Sequence, residues 1–331
     1  KIDNAKMSEI RAQYEKIQED CARSPGGFEH HPDRRGFWEV GHDERRKLWD
    51  RLYDEPGFGI WLQNFREIFT DEEANAELSE YIADRIRQRV KDPITAEKLI
   101  PKDHGFGVQR VPLETNYYEA YNRANVQLID ISETPVEQIT ETGIKTSVAD
   151  FEFDIIIYAT GFDAITGAYD HIDIRGRNGE RLKEKWDGGG IQTYLGIFVH
   201  GFPNMLMPAG PQSGSASSNY PRGIENGVNW VTALMEYARV NNVKCLEASA
   251  AAEHEWTEHV VQMYSTMLMR KARSWFTGYN SNVVGHEYGN PRYLVYNGGA
   301  PKYVRRIDQV ARDGYAGVEM DGVATKQAAA S

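Results

Sequence analysis

The stretch DFEFDIIIYATGFDA, residues 150–164, decides how the rest of the chain is read. Acids alternate with phenylalanines at first, and then Asp154-Ile155-Ile156-Ile157-Tyr158-Ala159 places apolar side chains on both faces of an extended backbone. Such a run predicts a central parallel strand covered by helices on either side. It stops abruptly at Ala159-Thr160-Gly161. Ligands of open α/β sheets bind outside the carboxyl ends of the strands, where residues without bulk let backbone approach a cofactor. A second run, Met205-Leu206-Met207-Pro208-Ala209, ends in Gly210 in the same manner. A glycine at a strand end is, by itself, also what an ordinary turn requires.

Working outward toward the N-terminus, Val126 to Ile129 and Val136 to Thr140 read as short strands, and Thr142-Gly143 as a turn before Ile144-Lys145-Thr146. Residues 1–100 read as helical and charged. Met7, Ile10, Tyr14, Ile17 and Cys21 draw one apolar stripe at helical spacing, stopped by Ser24-Pro25-Gly26-Gly27. Leu48 and Leu52 mark a second helix. Thr70-Asp71-Glu72-Glu73 has the form of a capping box ahead of Leu78, Ile82, Ile86 and Val90, a run ended by Asp92-Pro93. Toward the C-terminus, Val228, Val231, Leu234, Met235 and Ala238 fit one helix, and Trp256, Val260, Met263 and Met267 another. Residues 275–303 read as an aromatic-rich ordered loop region, and 321–331 as a frayed tail.

With 331 residues, 40% of them hydrophobic, the chain can bury a large core and form about two domains. A net charge of −11 argues against nucleic acid or an anionic membrane as a main partner, since both need clustered Lys and Arg. The two cysteines, Cys21 and Cys245, stand in no ligand-like spacing and read as reduced thiols of an intracellular, cytoplasmic protein. No apolar run approaches the roughly 20 residues of a membrane span, and Lys1-Ile2-Asp3-Asn4 does not open a signal peptide.

Four motifs in order, GFGVQRVPLETNYYEAYNRANVQLID (105–130), ATGFDAITGA (159–168), GFPNMLMPAGPQSGSASSNY (201–220) and RSWFTGYN (273–280), resemble the later part of a type I Baeyer–Villiger monooxygenase. The resemblance runs from the helical segment at Ser8 to GYAGVEM at 314–320. It implies an α/β fold, part of a Rossmann-like flavoprotein with two dinucleotide domains and a helical insertion. Residues 1–100 would be the insertion of the NADPH domain, 101–150 the second half of that domain, and 151–320 the C-terminal half of the FAD domain. It further implies oxidation of a ketone to an ester or lactone with dioxygen and NADPH, through a peroxyflavin.

No G-x-G-x-x-G occurs in these residues, and neither GFGVQR nor NGGAPK combines a preceding strand with a following helix. A dinucleotide pyrophosphate needs such a glycine turn at a helix N-terminus. The family's glycine turns are therefore expected ahead of Lys1, in a missing N-terminal segment of the same enzyme or in a second polypeptide. A chain limited to these residues is expected neither to hold FAD tightly nor to turn over.

By resemblance, Arg110 is the catalytic cation, stabilising the peroxyflavin anion and helping to hold the nicotinamide. From the residues alone it reads as well as a surface arginine paired with Glu114 or Glu119. Gln109 stands where family members carry a lysine toward the 2′-phosphate of NADPH, which puts the preference over NADH in question. Thr160, Gly161, Asn219, Tyr220 and Trp275 are placed beside the cofactors, although Trp275 also suits a core. Ser215, Ala216, Ser217, Tyr220 and Phe276 are placed on the substrate pocket, small side chains at 215–217 leaving room for a bulky or cyclic ketone. A serine hydrolase is disfavoured because G-x-S-x-G is absent. No metal is expected: His254 and His259, five apart, diverge by about 140° on a helix, and His30-His31 reads as solvated. A heteroatom-hydroxylating flavin monooxygenase and a non-catalytic binding module remain as alternatives.

Overall fold

A computed structural model describes residues 2–215, 218–286, 291–321 and 323–324. They form two compact units, one of residues 1–71 and 163–331, the other of 72–162. The N-terminal helices therefore group with the C-terminal part, whereas the sequence reading joined them to residues 72–100.

The expected first helix is two, α1 (Asn4–Ala12) and α2 (Tyr14–Arg23), broken at Gln13 (φ −114°, ψ 12°). Only Cys21 of its apolar stripe is buried. The Ser24–Gly27 turn explains the grouping. Pro25 O accepts from Ala300 N at 2.9 Å, and Gly26 O accepts from Asn219 N at 2.7 Å. In α3 (His42–Asp54) Trp49 and Leu52 are buried. Phe37, Trp49 and Phe65 form an aromatic nucleus, and the buried Arg45 guanidinium lies 4.2 Å over the Phe37 ring while donating to Val40 O. A short turn, α4 (Gly59–Leu62), follows.

The second unit begins with α5 (Glu72–Arg89). Thr70, expected as its cap, stands two residues before its first residue and ends the preceding 3-10 turn Arg66–Phe69. Asp92 both follows α5 and caps α6 (Pro93–Leu99), its carboxylate accepting from Thr95 N at 2.8 Å. Ala83, Ile86, Val90, Ala96 and Ile100 close the core between these helices. After α7 (Tyr117–Ala120), an antiparallel meander forms from β1 (Val136–Ile139), β2 (Gly143–Thr146) and β3 (Asp150–Glu152), in the order β1-β2-β3. Residues 126–129 are not a strand.

The expected central strand 154–159 pairs with no other strand among the described residues, and Ile155, Ile157, Tyr158 and Phe162 are 66–94% exposed. A parallel strand exists only where neighbours take its amides and carbonyls, and none of the described strands pairs with this one. Residues 205–209 likewise stay outside any ladder, although Met207 is buried and its amide donates to Ile197 O.

The remainder of the first unit comprises α8 (Gly167–Asp170), α9 (Leu182–Gly189), α10 (Tyr220–Val240), β4 (Leu246–Ala248), α11 (Ala250–Ser265), α12 (Ala300–Arg312), β5 (Val318–Met320) and β6 (Val323–Ala324). β4, β5 and β6 form a second antiparallel sheet. Part of the expected tail is thus a strand; residues 325–331 lie outside the described ones. The buried face of α10 is Gly223, Gly227, Trp230, Val231, Leu234 and Ala238, while Val228 and Met235 point outward. Its glycines are the reason: a Cβ on Gly227 would sit 1.8 Å from Pro208 O. On α11 Trp256, Val260 and Tyr264 are buried, and Met267 lies beyond the helix. No helix among the described residues is long and apolar enough to cross a membrane.

Candidate functional site

In the second unit, α5 positions the segment that ends in Arg110. Asn75 Nδ2 donates to Phe106 O at 2.9 Å and Ser79 Oγ accepts from Phe106 N at 2.8 Å. A Cβ on Gly105 would meet Asn75 Oδ1 at 1.6 Å, so the first glycine of GFGVQR serves this close approach to a helix. Val108 is buried, Gln109 half-buried with its amide 3.5 Å from His104 Nδ1, and Arg110 exposed. Both acids named as alternative partners of Arg110 are engaged by Arg89: Glu114 at 2.7 Å, and Glu119 through two bonds of 2.6 and 2.7 Å. The Arg89 bonds hold the Glu119 carboxyl below its usual range. Thr160 and Gly161 are exposed; Gly161 has φ +87°, a conformation that favours glycine, and a Cβ there would touch nothing.

In the first unit, the loop from Gly210 runs through the core to α10. Ser213, Ser215 and Ser218 are all nearly inaccessible. Ser218 Oγ donates to Gly214 O at 2.8 Å, whereas Ser215 Oγ is buried with no partner. A Cβ on Gly223 would lie 2.5 Å from Ser215 Cα, so loop and helix are in direct backbone contact. Asn219 is the N-cap of α10 but makes no side-chain cap bond, and Tyr220 is 44% exposed. Ala216 and Ser217 lie outside the described residues.

Trp275 opens a 3-10 turn, Trp275–Thr277, capped by Ser274 Oγ, which accepts from Phe276 N. Trp275 is half-buried and its ring centroid lies 4.2 Å from that of Phe276, which is 2% exposed. Sequence reasoning missed the cluster beside this turn. His286 Nδ1 is 3.5 Å from Asp163 Oδ1, its Nε2 faces Arg292 Nη1, and burial foremost, then Arg292, holds the His286 pKa below its usual value. Asp163 belongs to the opening stretch, and its charged side chain four residues past the end of the apolar run at Ala159 was the available signal. His254 and His259 are both exposed on α11. Among the described residues no group of ligating side chains could hold a metal ion. Cys21 is buried and Cys245 half-buried, both free thiols.

No family model matches the chain. It is 44% identical over 321 residues to the 2-oxo-Delta(3)-4,5,5-trimethylcyclopentenylacetyl-CoA monooxygenase of Pseudomonas putida, covering 96% of this chain and 58% of that protein. It is 37% identical to the cyclopentanone 1,2-monooxygenase of a Comamonas species, again over 96% of this chain and 56% of the relative. Among solved structures, OTEMO in complex with FAD and NADP superposes with a TM-score of 0.90 at 42% identity, over 96% of this chain and 58% of the other. The chain thus spans somewhat more than half the length of the relatives it matches, and its fold is that of the corresponding α/β part.

Proposed function

The chain belongs to the Baeyer–Villiger monooxygenase family, and from that premise we propose that the protein carrying it oxidises a ketone, cyclic or bulky, to an ester or lactone with dioxygen, FAD and NADPH. The observation that carries the reading is the continuous match along 321 residues to ketone monooxygenases. Residues 1–100 correspond in this reading to a helical insertion of the NADPH domain, 101–150 to that domain and 151–320 to the FAD domain.

The residues present fit a polar cofactor. The first turn of α10 has no side-chain cap, and the buried Ser215 Oγ nearby has no partner, so both can bond a ligand at this helix end. Flavin, when bound, supplies the oxygen-activating chemistry, which no side chain of this chain can supply. Thr160, Gly161, Asn219 and Tyr220 are assigned to holding it, and Trp275 to the nicotinamide. Ser215, Ala216, Ser217, Tyr220 and Phe276 are assigned to the ketone pocket.

Arg110 has the role of a permanent cation that steadies developing negative charge and positions the nicotinamide. Gln109 can only hydrogen-bond the 2′-phosphate, so discrimination against NADH is expected to be weak unless another cation contributes.

The test uses the intact polypeptide that contains these residues, purified with its flavin and given cyclopentanone and NADPH. Lactone should form, and Arg110→Ala should retain flavin while losing at least 100-fold in lactone formation. Oxidation of amines or sulfides with no ketone turnover would replace this reading with heteroatom hydroxylation. Undiminished lactone formation by Arg110→Ala would remove Arg110 from the chemistry.

A further inference from the structure

The first unit contains a cavity of about 560 Å³ beside Trp186, the glycine run Gly188–Gly190, Gln212, Thr257, Arg292 and Tyr293. That volume is ample for a small organic molecule. One wall is fixed by a closed network: Thr193 Oγ1 and Thr257 Oγ1 donate to Gln212 Oε1, and Gln212 Nε2 donates to Ile191 O. Another is pinned through backbone, because Arg292 N donates to Thr277 O at 2.8 Å and Leu294 N to Phe276 O at 3.2 Å. A Cβ on Gly278 would meet the Arg292 side chain at 2.8 Å, which leaves that side chain little freedom.

Arg292 is 8% exposed, and among the described residues no carboxylate is paired with it. Nη1 faces His286 Nε2, and His286 Nδ1 lies 3.5 Å from Asp163 Oδ1. Nη2 is buried and has no partner. Of the other charges around it, Lys183 stands 3.0 Å from Asp187 and 3.7 Å from Asp170, and Glu258 is exposed at the cavity rim. A guanidinium removed from water and facing an imidazole loses hydration that an oxyanion supplied by a ligand can replace.

We propose that this cavity binds a small organic acid, its carboxylate on Arg292 Nη2 and its apolar body against Trp186, Val261 and Tyr293. The assignment stands on the cavity and the unpartnered cation and does not rest on the oxygenase reading. Gly188 and Gly189 leave the mouth open, since a Cβ on either would meet nothing within 4 Å.

The experiment is calorimetric titration of the protein with hexanoate at constant ionic strength, alongside hexanamide and inorganic phosphate. Saturable one-site binding of hexanoate is expected, at least 10-fold tighter than hexanamide or phosphate and weakened at least 10-fold in Arg292→Gln. Gly189→Leu, which retains the cation and whose Cβ would meet nothing within 4 Å, should also weaken hexanoate while keeping the wild-type near-UV circular dichroism. Equal affinity for hexanamide would overturn the recognition of charge, and equal affinity for phosphate the recognition of an apolar body. Unaltered hexanoate binding by either variant would overturn the site itself.

Discussion

Gly227→Ala tests the packing that places α10 behind the serine loop. The added Cβ would lie 1.8 Å from Pro208 O and 2.8 Å from its carbonyl carbon, where ordinary contact begins at 3.4 Å. The helix would have to withdraw by about 1.6 Å (3.4 − 1.8), and the obstacle is backbone, which cannot swing aside as a flexible side chain can. Removing a glycine from a helix interior contributes about 1 kcal/mol in its favour, whereas overpacking a dense core costs about 1–3 kcal/mol or more. A displacement this large belongs at the upper end, so the net expectation is a loss of about 2 kcal/mol. Gly188→Ala in α9 is the opposite case, with nothing within 4 Å of the new Cβ, and should be neutral or stabilising by up to about 1 kcal/mol. Urea unfolding followed by tryptophan fluorescence reads both, since the buried Trp230 on α10 donates to Ile307 O and reports the same core. The packing argument fails if the Gly227→Ala midpoint equals or exceeds wild type.

Two further substitutions probe buried polar groups. Glu247 is 3% exposed and accepts from Arg177 at 2.6 and 2.8 Å and from Gly201 N at 2.8 Å. Burial pushes its carboxyl up, but these donors outweigh burial and hold it below the usual range. Its contribution is therefore present above the unfolded-state value near pH 4.3 and lost as pH falls through the lower folded-state value. Glu247→Gln should lose about 1–3 kcal/mol at pH 7 and show a flatter stability profile below pH 4.5 in acid denaturation. Tyr303 Oη donates to Leu195 O at 2.7 Å inside the core, and burial raises the phenol pKa. Tyr303→Phe leaves that carbonyl without its partner and should cost about 1–3 kcal/mol in the same urea assay.

The sequence was most legible where structure is local. The helix-stopping Ser24–Gly27, the end of α5 ahead of Asp92-Pro93 and the turn at Thr142-Gly143 all act within a few residues, and all are found in the structure. The finer helix faces were not legible, because Gly223 and Gly227 carry no hydrophobic signal yet form the contact surface of α10, while Val228 and Met235 carry the signal and face outward. Residues 154–159 show the same limit on a larger scale. Periodicity reports what surroundings a segment is suited to, not whether a neighbour is beside it. Three isoleucines in sequence demand cover, and no described strand provides it.

The site divides along the same line. Arg110 is proposed from the motif around it, and the structure adds the reason GFGVQR holds its course, namely Asn75 and Ser79 on α5. The Asp163–His286–Arg292 series was not legible, because its three members lie far apart in sequence and no spacing rule links them. Their meaning depends on burial: on a surface Arg292 would be one of many solvated cations, but at 8% exposure with Nη2 unpartnered it is a charge the protein has no local reason to keep. Tertiary closure, rather than composition, turns an ordinary arginine into a candidate for recognition, and removing the charge in Arg292→Gln separates the two roles. A purely structural arginine would be missed in stability; a recognising one would be missed by hexanoate.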